Sequence, residues 1–162
     1  MFSKKKIEDQ MLVIFGSNGD LARRKLLPAI FQLYIGNFLP ANFIVVGAGS
    51  QNKNEEDYRN DVEAALKEFL PKETLTHADK VSEFLKQVYY KKVHNQTTSD
   101  FEGLRDYLFT LSEQLQIRRN IIYYYSIPPF LYETVAANLV TFDLNQEEEV
   151  WKRKKKKKPF GY

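Results

Sequence analysis

Cysteine does not occur in the 162 residues, which excludes disulfides and thiolate metal sites from this chain. Histidine is nearly missing: His77 and His94 are the only two, and neither lies in a catalytic or metal-ligating pattern, so both read as surface residues. No run is long and apolar enough for a membrane-spanning helix. The lysines of the opening stretch MFSKKKIEDQ precede no signal-like apolar segment. A soluble, cytoplasmic protein is the expectation. Glycine and proline are few, 7 and 6, and never gather into a flexible linker. No internal repeat occurs. Residues 1–10 therefore read as an N-terminal extension, and 11–162 as one continuous α/β domain.

Acidic residues are missing from the C-terminus. Residues 151–162 hold seven of the 24 Lys+Arg and none of the 21 Asp+Glu, leaving a body of 17 cations against 21 acids. The basic character belongs to the stretch WKRKKKKKPFGY, and the body is mildly acidic. A basic-faced nucleic-acid-binding body is not indicated. Polyanion binding through the 152–158 basic run stays open as an alternative.

What is present is apolar and periodic: 43% of the residues are hydrophobic and 14% aromatic, enough for a packed core. Met11 to Gly16, MLVIFG, is a continuous apolar run that predicts a strand buried on both faces. A helical pattern follows it through Leu21, Leu26, Leu27, Ile30, Phe31 and Tyr34 to Gly36, with Pro28 expected to break or kink it near its start. Ala41 to Gly49 predicts a second strand, completing a right-handed βαβ unit. Asn54 is placed to cap a helix carrying Tyr58, Val62, Ala65, Leu66 and Phe69. A further helix runs into a short strand at Val88–Val93. Ser99 with Glu102 forms the pattern of a capping box ahead of the next helix. Asn120 to Pro129, NIIYYYSIPP, predicts a third strong strand, with a short helix behind it. The tyrosine runs 89–90 and 123–125 read as strand packing, and Arg23, Arg24 and Lys25 as a solvated helix face.

Chemistry is concentrated in GSNGDLA, residues 16–22. Gly16 ends a strand and Gly19 opens a helix, where glycine lets the backbone turn tightly and approach a pyrophosphate. The helix N-terminus offers unpaired N–H groups to phosphate charge. Ser17 and Asn18 can add side-chain hydrogen bonds, and Ala22 is the small residue where helix meets strand. The same spacing also suits an ordinary tight βα turn. The second strand ends in GAGSQNKN, with no acid between Val45 and Asn54 to hold a ribose diol. Ser50, Gln51 and Lys53 are the groups available, which leans toward NADP, with NAD still open.

These residues resemble the N-terminal coenzyme domain of the glucose-6-phosphate dehydrogenases. The family loop is similar to G-A-S/T-G-D-L-A-x-[RK]-K, and this chain has Gly16-Ser17-Asn18-Gly19-Asp20-Leu21-Ala22-Arg23-Arg24-Lys25, then Leu27-Pro28-Ala29. NFIVVGAGS resembles the family's second strand, and IIYYYSIPPFLYETVAANL its FYLALPP segment and following helix. The pattern W-x-R…K-P-F-G, from Trp151 to Gly161, resembles the end of the coenzyme half.

The resemblance implies a Rossmann-like, doubly wound, mostly parallel sheet with helices on both faces, cut off before the family's C-terminal α+β domain. It implies oxidation of glucose 6-phosphate to its lactone, with hydride passing to NADP, in the pentose phosphate pathway. Gly16, Asn18, Gly19, Asp20 and Leu21 would form the phosphate loop, with Tyr125, Ile127 and Pro128 along the coenzyme. Ser50 stands where the family has an arginine for the 2′-phosphate, and Lys53 would substitute. Lys158 matches the lysine that contacts substrate near the nicotinamide. Lys154 to Lys157 replace residues similar to V-V-I-E in a strand expected to be buried, so this segment is expected to fray from the sheet edge or form a degraded strand. The catalytic histidine would lie beyond Gly161, so this chain is expected to be inactive alone. Full-length family members form homo-oligomers; neither a nucleic-acid nor a membrane partner is expected. The alternative reading is a stand-alone nucleotide-binding or regulatory module without catalysis.

Overall fold

The computed structural model describes residues 9–145 and 153–155. Its strands are β1 Gln10–Phe15, β2 Phe43–Gly49, β3 Val88–Lys92, β4 Ile121–Tyr125 and β5 Arg153–Lys155. All neighbouring strands pair in parallel, in the order β3-β2-β1-β4-β5. Five α-helices connect them: α1 Leu27–Ile35, α2 Glu55–Phe69, α3 Ala78–Leu85, α4 Thr98–Leu115 and α5 Tyr132–Thr141.

The unbroken apolar runs lie at the centre because parallel strands need helices over both faces. β1 and β2 run in register from Gln10 opposite Phe43 to Phe15 opposite Ala48. Side-chain alternation then divides the core. Leu12, Ile14, Phe43 and Val45 meet α1, α2 and α3 through Phe31, Leu66 and Phe84. Met11, Val13, Phe15, Ile44 and Val46 meet α4 and α5 through Phe101, Leu108 and Leu139. The expected doubly wound architecture is therefore present. Among the described residues no helix is long and apolar enough to cross a membrane.

Pro28 acts where its chemistry dictates. It lacks an N–H, so the helix cannot close a normal turn beneath it. A π-helical turn over Ala22–Leu26 absorbs the defect, with Leu27 N–H bonding to the Ala22 carbonyl, and α1 continues with Pro28 in its first turn. Asn54 caps α2 as expected, its Oδ1 accepting from Asp57 N–H at 2.7 Å.

The capping box at Ser99 is not formed. α4 starts at Thr98 after Thr97, and no side chain caps it, so Ser99 falls inside the first turn. Tertiary bonds fix this register. Asp100 accepts from His94 N–H at 2.8 Å, and Thr98 Oγ1 donates to Asn138 Oδ1 at 2.9 Å. The third strong strand is also shorter than its apolar run. Its ladder ends at Tyr125, Ser126 N–H bonds back to Phe15 at 2.9 Å, and Pro129–Leu131 turn into α5.

The basic run reaches the sheet as an edge strand. Arg153, Lys154 and Lys155 pair with Ile122, Tyr123 and Tyr124. Of the segment expected to fray or form a degraded strand, Lys154 and Lys155 are paired, and Lys156 and Lys157 are not among the described residues. Among the described residues this strand is outermost rather than interior, and an edge is where lysine is tolerated in a sheet. Lys156, Lys157 and Lys158, with Trp151 and the Pro159–Gly161 segment, lie outside the described residues, as do residues 1–8 of the N-terminal extension.

Candidate functional site

The sheet order places a topological switch at β1. From β1 the chain moves outward through β2 and β3, then returns to lie on β1's other side as β4. Crossovers on opposite sides leave a gap above the carboxyl ends of β1 and β4, and ligands of such sheets occupy that gap. Here it is a crevice of about 330 Å³. Gly16, Asn18 and Gly19 form one wall, with Ala48, Gly49 and Ser50 from the end of β2 and Ser126, Ile127 and Pro128 from the end of β4. Val93 and Asn95, just after β3, complete it. Among the described residues no charged side chain lines this crevice, and the groups they offer an anion are backbone N–H groups and amides.

The loop after β1 is built for that task. Gly16 has φ of +78°, a conformation glycine adopts without strain. Gly16 and Ser17 N–H groups bond the Ala48 carbonyl at 3.0 and 3.3 Å, tying the loop to β2. Gly19 N–H closes the turn on Gly16 at 2.9 Å, and the first helical bond runs from Arg23 N–H to Gly19 at 3.2 Å. The N–H groups of Asp20, Leu21 and Ala22 precede that bond, at the positive end of the helix.

A second crevice of about 250 Å³ adjoins the first, between the π-helical turn and α2. Ser17, Gln51, Tyr58 and Val62 line it, together with three charged groups, Arg23, Lys53 and Asp61. Lys53 is ion-paired with Asp61, and Arg23 with Glu68. The hydroxyls of Ser17 and Tyr58 are buried there and make no hydrogen bond of good geometry among the described residues. Burial pushes the Tyr58 phenol well above its ordinary value.

Asn18 lines both crevices. Its Oδ1 accepts from Gln51 N–H at 3.3 Å and lies 3.1 Å from the Tyr90 hydroxyl, whose one proton it shares with the Gln51 carbonyl at 2.7 Å. Burial pushes the Tyr90 phenol up, so it stays protonated and able to donate.

A family model described as the NAD binding domain of glucose-6-phosphate dehydrogenase matches residues 13–162. The chain belongs to the glucose-6-phosphate dehydrogenase family. It is 35% identical over 159 residues to the glucose-6-phosphate 1-dehydrogenase of Treponema pallidum (strain Nichols), covering 96% of this chain and 30% of that protein. The enzyme of the same name from Aggregatibacter actinomycetemcomitans is 33% identical over 157 residues, covering 97% of this chain and 31% of the relative. A solved glucose-6-phosphate dehydrogenase in complex with its substrate glucose-6-phosphate superposes with a TM-score of 0.78 at 25% identity, over 99% of this chain and 32% of that one. The chain thus spans about a third of the length of the family members it matches. Its matched part is the family's N-terminal nicotinamide-dinucleotide domain.

The fold gathers many of the residues singled out in the sequence and separates others. Gly16, Asn18, Gly19, Ser50, Ile127 and Pro128 line the first crevice, and Ser17, Gln51 and Lys53 the second. Asp20 is exposed and ion-paired with Arg24 at 2.8 Å, and neither it nor Leu21 side-on forms a crevice wall. Tyr125, at the end of β4, has a fully buried side chain. The pleat turns it inward against Phe15 and Tyr132, and burial pushes its phenol up to about 12. Lys158 lies outside the described residues. His77 and His94 are exposed, His94 bonding Asp100 at 3.1 Å. The sequence reading missed Asn95, Ser126, Tyr58 and Tyr90. Asn95 lies two residues past the predicted strand Val88–Val93 and Ser126 inside the predicted strand Asn120–Pro129, so the local pattern singles out neither. Tyr90 is 72 residues from Asn18, and no local pattern joins them.

Proposed function

We propose that this chain is the coenzyme-binding part of a dehydrogenase that oxidises glucose 6-phosphate to 6-phosphogluconolactone with NADP. The supporting observation is the glycine-walled crevice at the switch point, facing a helix N-terminus, in a chain of this family. The loop from Gly16 to Leu21 would hold the pyrophosphate through backbone N–H groups, with Ser17 and Asn18 adding side-chain donors. Ser50, Gln51 and Lys53 would meet the adenosine ribose. The second crevice carries Arg23 and Lys53, ion-paired with Glu68 and Asp61, and a 2′-phosphate there would take the place of an acid as partner to one of these cations. Ile127 and Pro128 would flank the nicotinamide end, with Tyr125 supporting them from beneath.

The coenzyme, when bound, accepts hydride from the sugar's C1. The chain's own contribution is to orient that coenzyme and keep water from its pyrophosphate. We assign Lys158 to the glucose 6-phosphate side of the site and assign no proton-accepting role to His77 or His94. Residues 1–10 are assigned to an extension and 11–162 to the coenzyme domain.

Titration of the 162-residue chain with NADP and NAD, followed by Trp151 and tyrosine fluorescence, tests this reading. Saturable binding of NADP, tighter than NAD, is expected, with no reduction of coenzyme by glucose 6-phosphate from this chain alone. Absence of saturable binding by either dinucleotide would overturn the coenzyme assignment.

A further inference from the structure

We infer that Tyr90 is a positioning residue for the coenzyme, acting through Asn18. The inference rests on the nucleotide-binding reading above and adds to it the device that sets the loop's side-chain donor.

The network starts from two glycines in β2. A β-carbon on Gly47 would stand 2.6 Å from Cζ and Oη of Tyr58, so only glycine lets that ring lie against the strand. Tyr58 packs on Tyr90 with ring centroids 4.8 Å apart, which fixes the Tyr90 ring and aims its hydroxyl past the end of β2. There its one proton is shared between the Gln51 carbonyl at 2.7 Å and Asn18 Oδ1 at 3.1 Å. A β-carbon on Gly49 would stand 1.9 Å from Asn18 Oδ1, so the amide fills the space that this glycine vacates. One hydroxyl thereby joins three segments: the loop after β1, the loop after β2, and β3.

The bonds also decide which way the Asn18 amide faces. Gln51 N–H can only donate, so the Asn18 atom it meets at 3.3 Å is the oxygen. Both acceptor contacts of Asn18 thus point into the protein, and its Nδ2 donors remain for a ligand at the wall shared by the two crevices. An asparagine free to rotate would offer its oxygen to a phosphate as readily as its nitrogen, and the oxygen repels. Gln51 N–H removes that choice, and Tyr90, bonded to both Gln51 and Asn18, holds the two together. The ligand class is a phosphate ester of the coenzyme, recognised by a neutral amide donor beside backbone N–H groups.

The test is a coenzyme titration of the wild-type chain, Tyr90→Phe, Asn18→Ala and the double variant, with NADP as the probe. Tyr90→Phe keeps the ring stack on Tyr58, so its thermal midpoint is expected to stay near wild type. Its affinity for NADP is expected to fall by about threefold to tenfold, the factor that one lost hydrogen bond represents. The double variant is expected to bind no more weakly than Asn18→Ala alone, because Tyr90 acts only through Asn18. Asn18→Asp separates the two roles: its carboxylate keeps both acceptor bonds, so amide exchange at Gln51 stays slow, while the lost donors and added charge weaken NADP binding. Amide exchange at Gln51 is expected to speed up in Tyr90→Phe. Unchanged affinity in Tyr90→Phe, or fully additive losses in the double variant, would overturn the inference while leaving the coenzyme reading standing. Failure of the wild-type chain to bind NADP or NAD would overturn both.

Discussion

Gly16 lies so close to Ser126 that a β-carbon on it would stand 2.0 Å from the Ser126 backbone oxygen. The end of β1 and the end of β4 are in backbone contact at the switch point, and the crevice opens above that contact. The glycine that lets a coenzyme approach is therefore also the glycine that lets two strands meet.

Gly16→Ala should consequently be a folding defect as well as a binding defect. The substitution meets backbone at 2.0 Å and forces a side chain into φ of +78°. A loss of at least about 2 kcal/mol is expected in urea denaturation, from left-handed strain plus the clash. Gly47→Ala is the comparison, because its β-carbon meets the far end of the Tyr58 side chain at 2.6 Å, which can tilt. It should cost clearly less; equal losses would contradict the account of Gly16.

Ser50→Arg should sharpen coenzyme choice. Ser50 is exposed on the crevice rim, where a guanidinium can reach solvent and ligand together. A charge-assisted, two-point contact to a 2′-phosphate is expected to tighten NADP by roughly tenfold, about 1.4 kcal/mol, and leave NAD nearly unchanged. Parallel titrations with both coenzymes give the ratio. Equal tightening of the two would mean that position 50 does not face the 2′-phosphate.

Acid should act through Asp100. Burial acts to raise its carboxyl, but the His94 N–H, the His94 ring and Lys92 outweigh that and hold it below its ordinary value. The folded state thus favours the carboxylate, and the bond contributes stability above the unfolded value of about 3.9. That stability is lost as pH falls through the lower folded value. Thermal midpoints of wild type and Asp100→Asn are expected to differ at neutral pH and to converge in acid. A gap that stays constant down to about pH 2 would assign the effect of the substitution to packing rather than to charge.

Much of this architecture was legible because it is written in local patterns. Apolar runs without alternation announced β1, β2 and β4 as interior strands, and 3.6-residue spacing announced α2 and α4. Asn54 was recognisable as a cap because capping needs only three consecutive peptide units. Pro28 was recognisable as a defect for the same reason, although the π-helical turn that absorbs it was not. Ser99 misled because the capping pattern is local while the start of α4 is fixed by His94 and Asn138, which lie outside it. Tyr125 shows what local pattern leaves open, because strand pleat alone decides whether the last residue of β4 faces crevice or core.

The amino-acid sequence by itself determined the strands, the glycine-bearing loop and the absence of an acid after β2, since each depends on residues close together in the chain. Only the tertiary structure decided which residues meet above the sheet. It set Asn18 beside Gln51 and Tyr90, paired Lys53 with Asp61, and brought Ser126 against Gly16. The physical reason is the parallel topology: every crossover returns the chain to the same end of the sheet, so the groups that form the site arrive from segments tens of residues apart.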